Sequence, residues 1–148
     1  MSLLETNPEP QSKTLRYAVS GVALILLVSF GIWFFFLRYI TEKRTVQHFM
    51  DAVVAGDFQG AYRIWKPHGT YSYQDFIGDW GTGGYYAPIK SYRIESTSQP
   101  PNGSSGVVVV VEISPVQPFP ADNDPNSGKN REIRLWVERS DGSMSFPP

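Results

Sequence analysis

The apolar pattern of this chain predicts an α+β domain carried behind a single membrane-spanning helix. Three observations predict it. Residues Tyr17 to Leu37 form an uncharged apolar run. Val46, Phe49, Met50, Val53 and Val54 recur at the spacing of one helical face, whereas Ile133, Leu135 and Val137 alternate with polar neighbours as a half-buried strand does. Helical patterns come first and strand patterns follow, which is the order of an α+β fold with helices packed on one face of an antiparallel sheet.

The apolar run (YAVSGVALILLVSFGIWFFFL) is bracketed by Arg16 and Arg38. As a helix it reaches about 31 Å, close to the hydrocarbon thickness of a bilayer. A cleaved signal peptide has a shorter apolar region ending in small residues. This run instead ends in Trp33-Phe34-Phe35-Phe36-Leu37-Arg38, so an uncleaved anchor over 17–38 is predicted. Trp33, Phe34, Phe35, Phe36 and Arg38 are its membrane-interface residues, with Tyr39 beside them. The aromatic cluster also admits a second reading, a stacking surface for a neighbouring helix, lipid or pigment. The span holds no ionisable side chain apart from Tyr17 at its edge, which argues against a proton relay or an axial haem ligand within it. No small-xxx-small pair marks a dimer face. Lys13 and Arg16 before the span nearly balance Arg38, Lys43 and Arg44 after it. A short N-terminal tail (1–16, read as flexible) ahead of a long domain nevertheless resembles a signal anchor, and so predicts an inner-membrane protein with a periplasmic domain.

Beyond the anchor lies a soluble domain over 41–148. The first helix is expected from Thr41 to Ala55, with Gly56 as its C-cap and Asp57 as the N-cap of the next. Phe58, Ala61, Tyr62 and Trp65 continue the helical spacing until Pro67 stops it. Ser72 and Asp75 open a third helix in Tyr71–Trp80, with Phe76, Ile77 and Trp80 facing inward. Strands are expected over Ile89–Ser96, Val107–Ile113 and around 133–137. A long loop spans 114–130, and a tight Asp141-Gly142 hairpin turn leads to a strand bearing Met144 and Phe146.

Four segments carry a family resemblance: Phe49 to Trp65 (FMDAVVAGDFQGAYRIW), Tyr73 to Trp80 (YQDFIGDW), Pro88 to Ile94 (PIKSYRI) and Asp141 to Pro148 (DGSMSFPP). Together they resemble the nuclear-transport-factor-2-like (cystatin-like α+β) superfamily, whose members commonly read as a helix, an ALxxGDxxxAY piece, a short helix, and strands ending in DGxWxI. Met144 stands where the family usually has Trp. Bacterial membrane-tethered members look similar to the whole architecture. The resemblance implies helices on a curved antiparallel sheet forming an open cone, which different members use for small-molecule binding, steroid isomerisation or protein docking.

Composition narrows the chemistry. The chain has a formal net charge of −1 and no cysteine. Nucleic acid is thereby disfavoured as a partner, and thiol catalysis and thiolate metal sites are excluded. His48 and His68 are not accompanied by a third ligand at metal spacing, and Gly81-Thr82-Gly83-Gly84 lacks the Lys-Ser/Thr of a phosphate loop, so no metal or cofactor is expected. An isomerase-like cone needs a carboxylate and a phenol at one place. The strand carboxylates are Glu95, Glu112, Glu132 and Glu138, and the phenols Tyr62, Tyr85, Tyr86 and Tyr92. Glu132 and Glu138 fall out of phase with Ile133, Leu135 and Val137, and no catalytic residue is assigned.

The aromatic residues of 65–86 are more telling. A core layer between helices and sheet is one reading, and a ligand or docking surface formed by Trp65, Tyr73, Trp80, Tyr85 and Tyr86 is the other. The function expected is a non-catalytic accessory or binding module, a small subunit or assembly factor of an integral membrane complex. Its alternative is a cone binding a small hydrophobic ligand at the bilayer surface. Residues 41–148 expressed without the anchor are expected to fold as a soluble α+β domain. A far-ultraviolet circular dichroism spectrum of coil alone would refute that.

Overall fold

The structure, a computed structural model, describes residues 12–65, 69–101 and 103–148, without the side chain of Phe36. Residues 1–11 of the expected tail, Pro67 and His68 lie outside the described residues. The chain divides into two units, Met1–Arg38 and Tyr39–Pro148.

In the first unit, helix α1 (Lys13–Leu37) begins four residues before the apolar run. The reason is local: Ser12 Oγ accepts from the Leu15 N–H at 3.3 Å, capping the helix, so residues 13–16 are helical rather than tail. The helix is long and apolar enough to cross a membrane, and its described side chains are exposed on every side. Phe30 lies 6.1 Å from Trp33 and 6.4 Å from Phe34 between ring centroids, the i, i+3, i+4 neighbourhood of one face.

The second unit opens with α2 (Ile40–Ala55), α3 (Phe58–Trp65) and α4 (Tyr73–Trp80). Gly56 closes α2 at φ +77°, a left-handed conformation that a side chain would resist, and its N–H bonds the carbonyls of Ala52 and Val53. Asp57 Oδ1 caps α3 through the Gly60 N–H at 2.9 Å. Ser72 and Asp75 form a reciprocal capping box at α4, and the hydrogen bonds from the Ser72 N–H and hydroxyl hold the Asp75 carboxyl below its ordinary range.

Strands β1 (Ser91–Ser98), β2 (Gly106–Ser114), β3 (Arg131–Glu138) and β4 (Met144–Ser145) make an antiparallel sheet in sequence order. β1 runs two residues later than expected, and Glu95 is an extra residue, a bulge between the pairs Ile94↔Val111 and Ser96↔Val110. The hairpin to β4 is wider than a two-residue turn. Gly142 at φ +69° and Ser143 together oppose Glu138, with Gly142 N–H to Glu138 C=O at 2.9 Å and Glu138 N–H to Ser143 C=O at 2.8 Å. The expected loop over 114–130 contains a short 3-10 helix, Pro125–Lys129, and is tied to the sheet. Ser91 Oγ bonds Val116 C=O at 2.6 Å, Arg93 reaches Asp122 at 3.0 Å and covers the Phe119 ring, and Asn130 Nδ2 bonds Glu112 at 3.0 Å.

The register places Val107, Val109 and Val111 opposite Val137, Leu135 and Ile133 on one face, all buried. Val46, Phe49, Met50 and Val53 of α2, Ala61 and Trp65 of α3, and Phe76 and Trp80 of α4 complete that core. Trp65 is only 3% exposed and Trp80 1%. Phe49 packs against both, at 5.1 and 4.9 Å between centroids, and Phe146 joins Trp65 at 5.2 Å. Truncating Trp65 to Ala is therefore expected to cost about 3–5 kcal/mol. That is a large part of a domain's roughly 5–15 kcal/mol, and chemical denaturation of the wild type and variant measures it. An unchanged midpoint would refute the packing role.

Candidate functional site

The five aromatic candidates do not assemble into one surface. Trp65 and Trp80 are packed in the core, and Tyr86 lies against Trp80 at 4.8 Å. Tyr73 is on another side, edge-on to Tyr62 at 5.3 Å beside a shallow recess with Gln59 and Arg63. Tyr85 is 72% exposed, its backbone pinned when Arg131 donates to the Tyr85 and Tyr86 carbonyls. At the helix end, Trp33, Phe34, Phe35 and Arg38 are all exposed.

A cleft of about 540 Å³ opens instead at the β4 edge of the sheet. Trp65 and Tyr71 stand on its helix side, Trp136 and Glu138 on the opposite side, and the hairpin from Asp141 to Phe146 between them. Of the five aromatic candidates, only Trp65 lines it. Glu138, weighed from the sequence as a strand carboxylate, also lines it, whereas Tyr71, Trp136 and Phe146 were not among the expected site residues. The strand alternation that puts Trp136 in phase with Glu132 and Glu138 was a usable signal for Trp136.

Local chemistry holds each wall in place. The Trp136 indole lies over Gly106, where a Cβ would strike the ring, and its Nε1 donates to Glu138 Oε2 at 3.4 Å. Glu138 also accepts from Ser105 Oγ at 2.8 Å and from the Arg139 N–H at 3.2 Å. The Arg139 guanidinium turns away to Glu42 at 3.0 Å and stacks over Tyr39. Tyr71 donates its hydroxyl to Asp79 Oδ2 at 2.7 Å, and Trp65 lies 5.9 Å from its ring.

Phenol–carboxylate pairs do occur, but with Asp79 and Asp51 and not with the strand carboxylates. Burial, then the hydrogen bond to Asp79, pushes the Tyr71 phenol well above its ordinary range; burial and then Asp51 do the same for Tyr92, whose hydroxyl bonds Asp51 at 2.6 Å. Burial, followed by the Asp79 charge, also raises Tyr86. Glu112, Glu132 and Glu138 lie on the sheet face away from the helices, Glu95 and Glu112 on Arg93 and Glu132 on Arg134. Among the described residues no group of His, Cys, Asp and Glu is arranged to hold a metal, and His48 is exposed.

Comparison of the chain with protein-family models, with curated proteins and with solved structures finds no match.

The raised phenols make a pH prediction with a definite sign. A group whose pKa is raised by folding contributes stability that is complete below its unfolded value and is lost as pH climbs past it. Tyr71 and Tyr92 both begin from 10.0. Melting temperature is thus expected to fall more steeply from about pH 9 to about pH 11 in the wild type than in the Tyr71→Phe, Tyr92→Phe double variant, which has no phenol to ionise at either place. Parallel pH profiles would contradict this.

Proposed function

We propose that this chain is a membrane-anchored, non-catalytic binding module, a small subunit or assembly factor of a larger integral membrane protein complex. The observation that carries the reading is where the open space lies. The inner face of the sheet is filled by Phe49, Trp65, Phe76 and Trp80, whereas the aromatic cleft faces outward at the sheet edge. A filled interior suits a scaffold, and a ring-lined edge suits contact with another chain. The apolar surface of α1 supports the same reading, because it needs cover from lipid or from neighbouring helices.

The nuclear-transport-factor-2-like fold belongs to this proposal. Its support is the order of three helices and then an antiparallel meander, with the helices against one sheet face. The inner-membrane location with a periplasmic domain also belongs to it, supported by Lys13 and Arg16 ahead of the apolar run and by the long domain behind it. A second reading, a small hydrophobic ligand, is favoured by one feature: the cleft volume falls within the range of small-molecule sites and its walls are aromatic.

Purification in mild detergent, followed by native gel and mass spectrometry, separates the two. The binding-module reading expects association with membrane proteins at fixed stoichiometry. A free monomer carrying a small molecule would replace it with the second reading. Protease added to sealed spheroplasts is expected to digest the domain, and full protection until lysis would reverse the side of the membrane.

A further inference from the structure

Helices α2 and α3 share a basic recess that neither the core nor the sheet-edge cleft uses. Its volume is about 330 Å³, and it is lined by Thr45 and His48 of α2, Arg63 and Ile64 of α3, and Gly142 of the hairpin. Helical spacing sets these walls. Thr45 and His48 are three residues apart and share one side of α2. Arg63 comes two residues before the buried Trp65, so it turns to the exposed side of α3. Arg44 is exposed one turn before His48.

The positive charge here is not neutralised from within the domain. Among the described residues, the side chains of Arg44, His48 and Arg63 make no ion pair and no hydrogen bond. The acids of the surrounding elements are engaged elsewhere. Glu42 holds Arg139 at 3.0 Å, Asp51 accepts from the Tyr92 hydroxyl at 2.6 Å, and Asp57 caps α3 through the Gly60 N–H at 2.9 Å. On the hairpin, Asp141 accepts from the Ser143 N–H at 2.8 Å and lines the sheet-edge cleft instead. Thr45 gives its hydroxyl proton to the Thr41 carbonyl at 3.1 Å. A ligand therefore meets the Arg63 guanidinium fork and the His48 ring, a pair suited to the several oxygens of a phosphate.

Chain length selects the source of that phosphate. Helix α2 begins at Ile40, three residues after α1 ends at Leu37. Fully extended, that connection is about 10 Å long, and Thr45 lies about 8 Å further along α2. The recess is thus tethered close to the headgroups of any membrane that α1 crosses. Tethering raises their effective concentration far above that of a soluble phosphate. Anionic headgroups are favoured over zwitterionic ones, which carry an ammonium that Arg44 and Arg63 would repel.

We infer that the recess between α2 and α3 binds the phosphate of an anionic phospholipid headgroup, with Arg63 taking two of its oxygens and His48 a third. This goes beyond the binding-module reading and does not depend on it, because every residue of the site belongs to this chain.

The test uses the full chain, isotope-labelled, in neutral maltoside micelles, titrated with short-chain dihexanoylphosphatidylglycerol. The Arg63 Nε–H and His48 ring resonances are expected to shift. Dihexanoylphosphatidylcholine is expected to bind at least about tenfold more weakly. Arg63→Gln and His48→Gln are each expected to weaken phosphatidylglycerol binding about tenfold, and Arg63→Lys, which keeps the charge but not the fork, by less. Lys90→Gln removes one positive charge at an exposed position outside the recess and is expected to leave binding unchanged. All three positions are exposed, so an otherwise unchanged amide spectrum verifies the fold of each variant. No shift at Arg63 and His48, equal binding of phosphatidylcholine, or an equal loss in Lys90→Gln would overturn the inference. So would inorganic phosphate that binds as tightly as the lipid, or the peptide acetyl-Asp-Glu-Asp-Glu-amide binding more tightly, since the ligand is then not a headgroup. Loss of this site would leave co-purification with a membrane complex untouched, and absence of that complex would leave the site.

Discussion

Phe49 sits between two tryptophans from different helices, and the rest of the domain is arranged around that contact. Its ring meets Trp65 of α3 and Trp80 of α4 at about van der Waals separation, while its own helix crosses the sheet. Large rings bury more apolar area than any other side chain and tolerate few arrangements, so three helices meeting at such a cluster can pack in few ways. With the helices set, the sheet face that meets them must present the β-branched row of β2 and the Ile133, Leu135, Val137 row of β3. A slip of one residue in either strand would drive that row into water.

That register has consequences at the edge. Once Val137 faces the core, Trp136 and Glu138 must face away, and the Gly142–Ser143 bulge then determines which β4 groups point outward. Phe146 turns back to pack on Trp65 and lies parallel to Trp80. Arg139 is recruited to Glu42 at the start of α2, which ties the hairpin to the first helix of the domain and leaves Glu138 with neutral partners only. The cleft is thus a by-product of core packing. Its walls are the residues that the register forces outward next to those that the aromatic cluster holds inward.

Much of this architecture was legible because its causes are local. The Gly56 cap, the Asp57 cap and the Ser72–Asp75 box each depend on residues within four positions of one another, and the structure places them where the spacing predicts. The Glu95 bulge was not legible, since an extra residue has meaning only against the partner strand it fails to match. Nor was the tethering of the 114–130 loop, which depends on Arg93, Asn130 and Asp122 meeting across long stretches of chain.

The sequence by itself determined an apolar helix of membrane length, the three helices and the alternating strands behind it, and the inward row of each, because periodicity and capping are properties of neighbours along the chain. Only the tertiary structure decided which aromatic residues share a place. Trp65 and Trp136 are far apart in sequence, and Tyr71 finds Asp79 only once a helix has turned between them. Neither is visible in spacing. The physical reason is that a cleft needs walls from several elements at once, and their meeting is set by how side-chain volumes fill the core between helices and sheet.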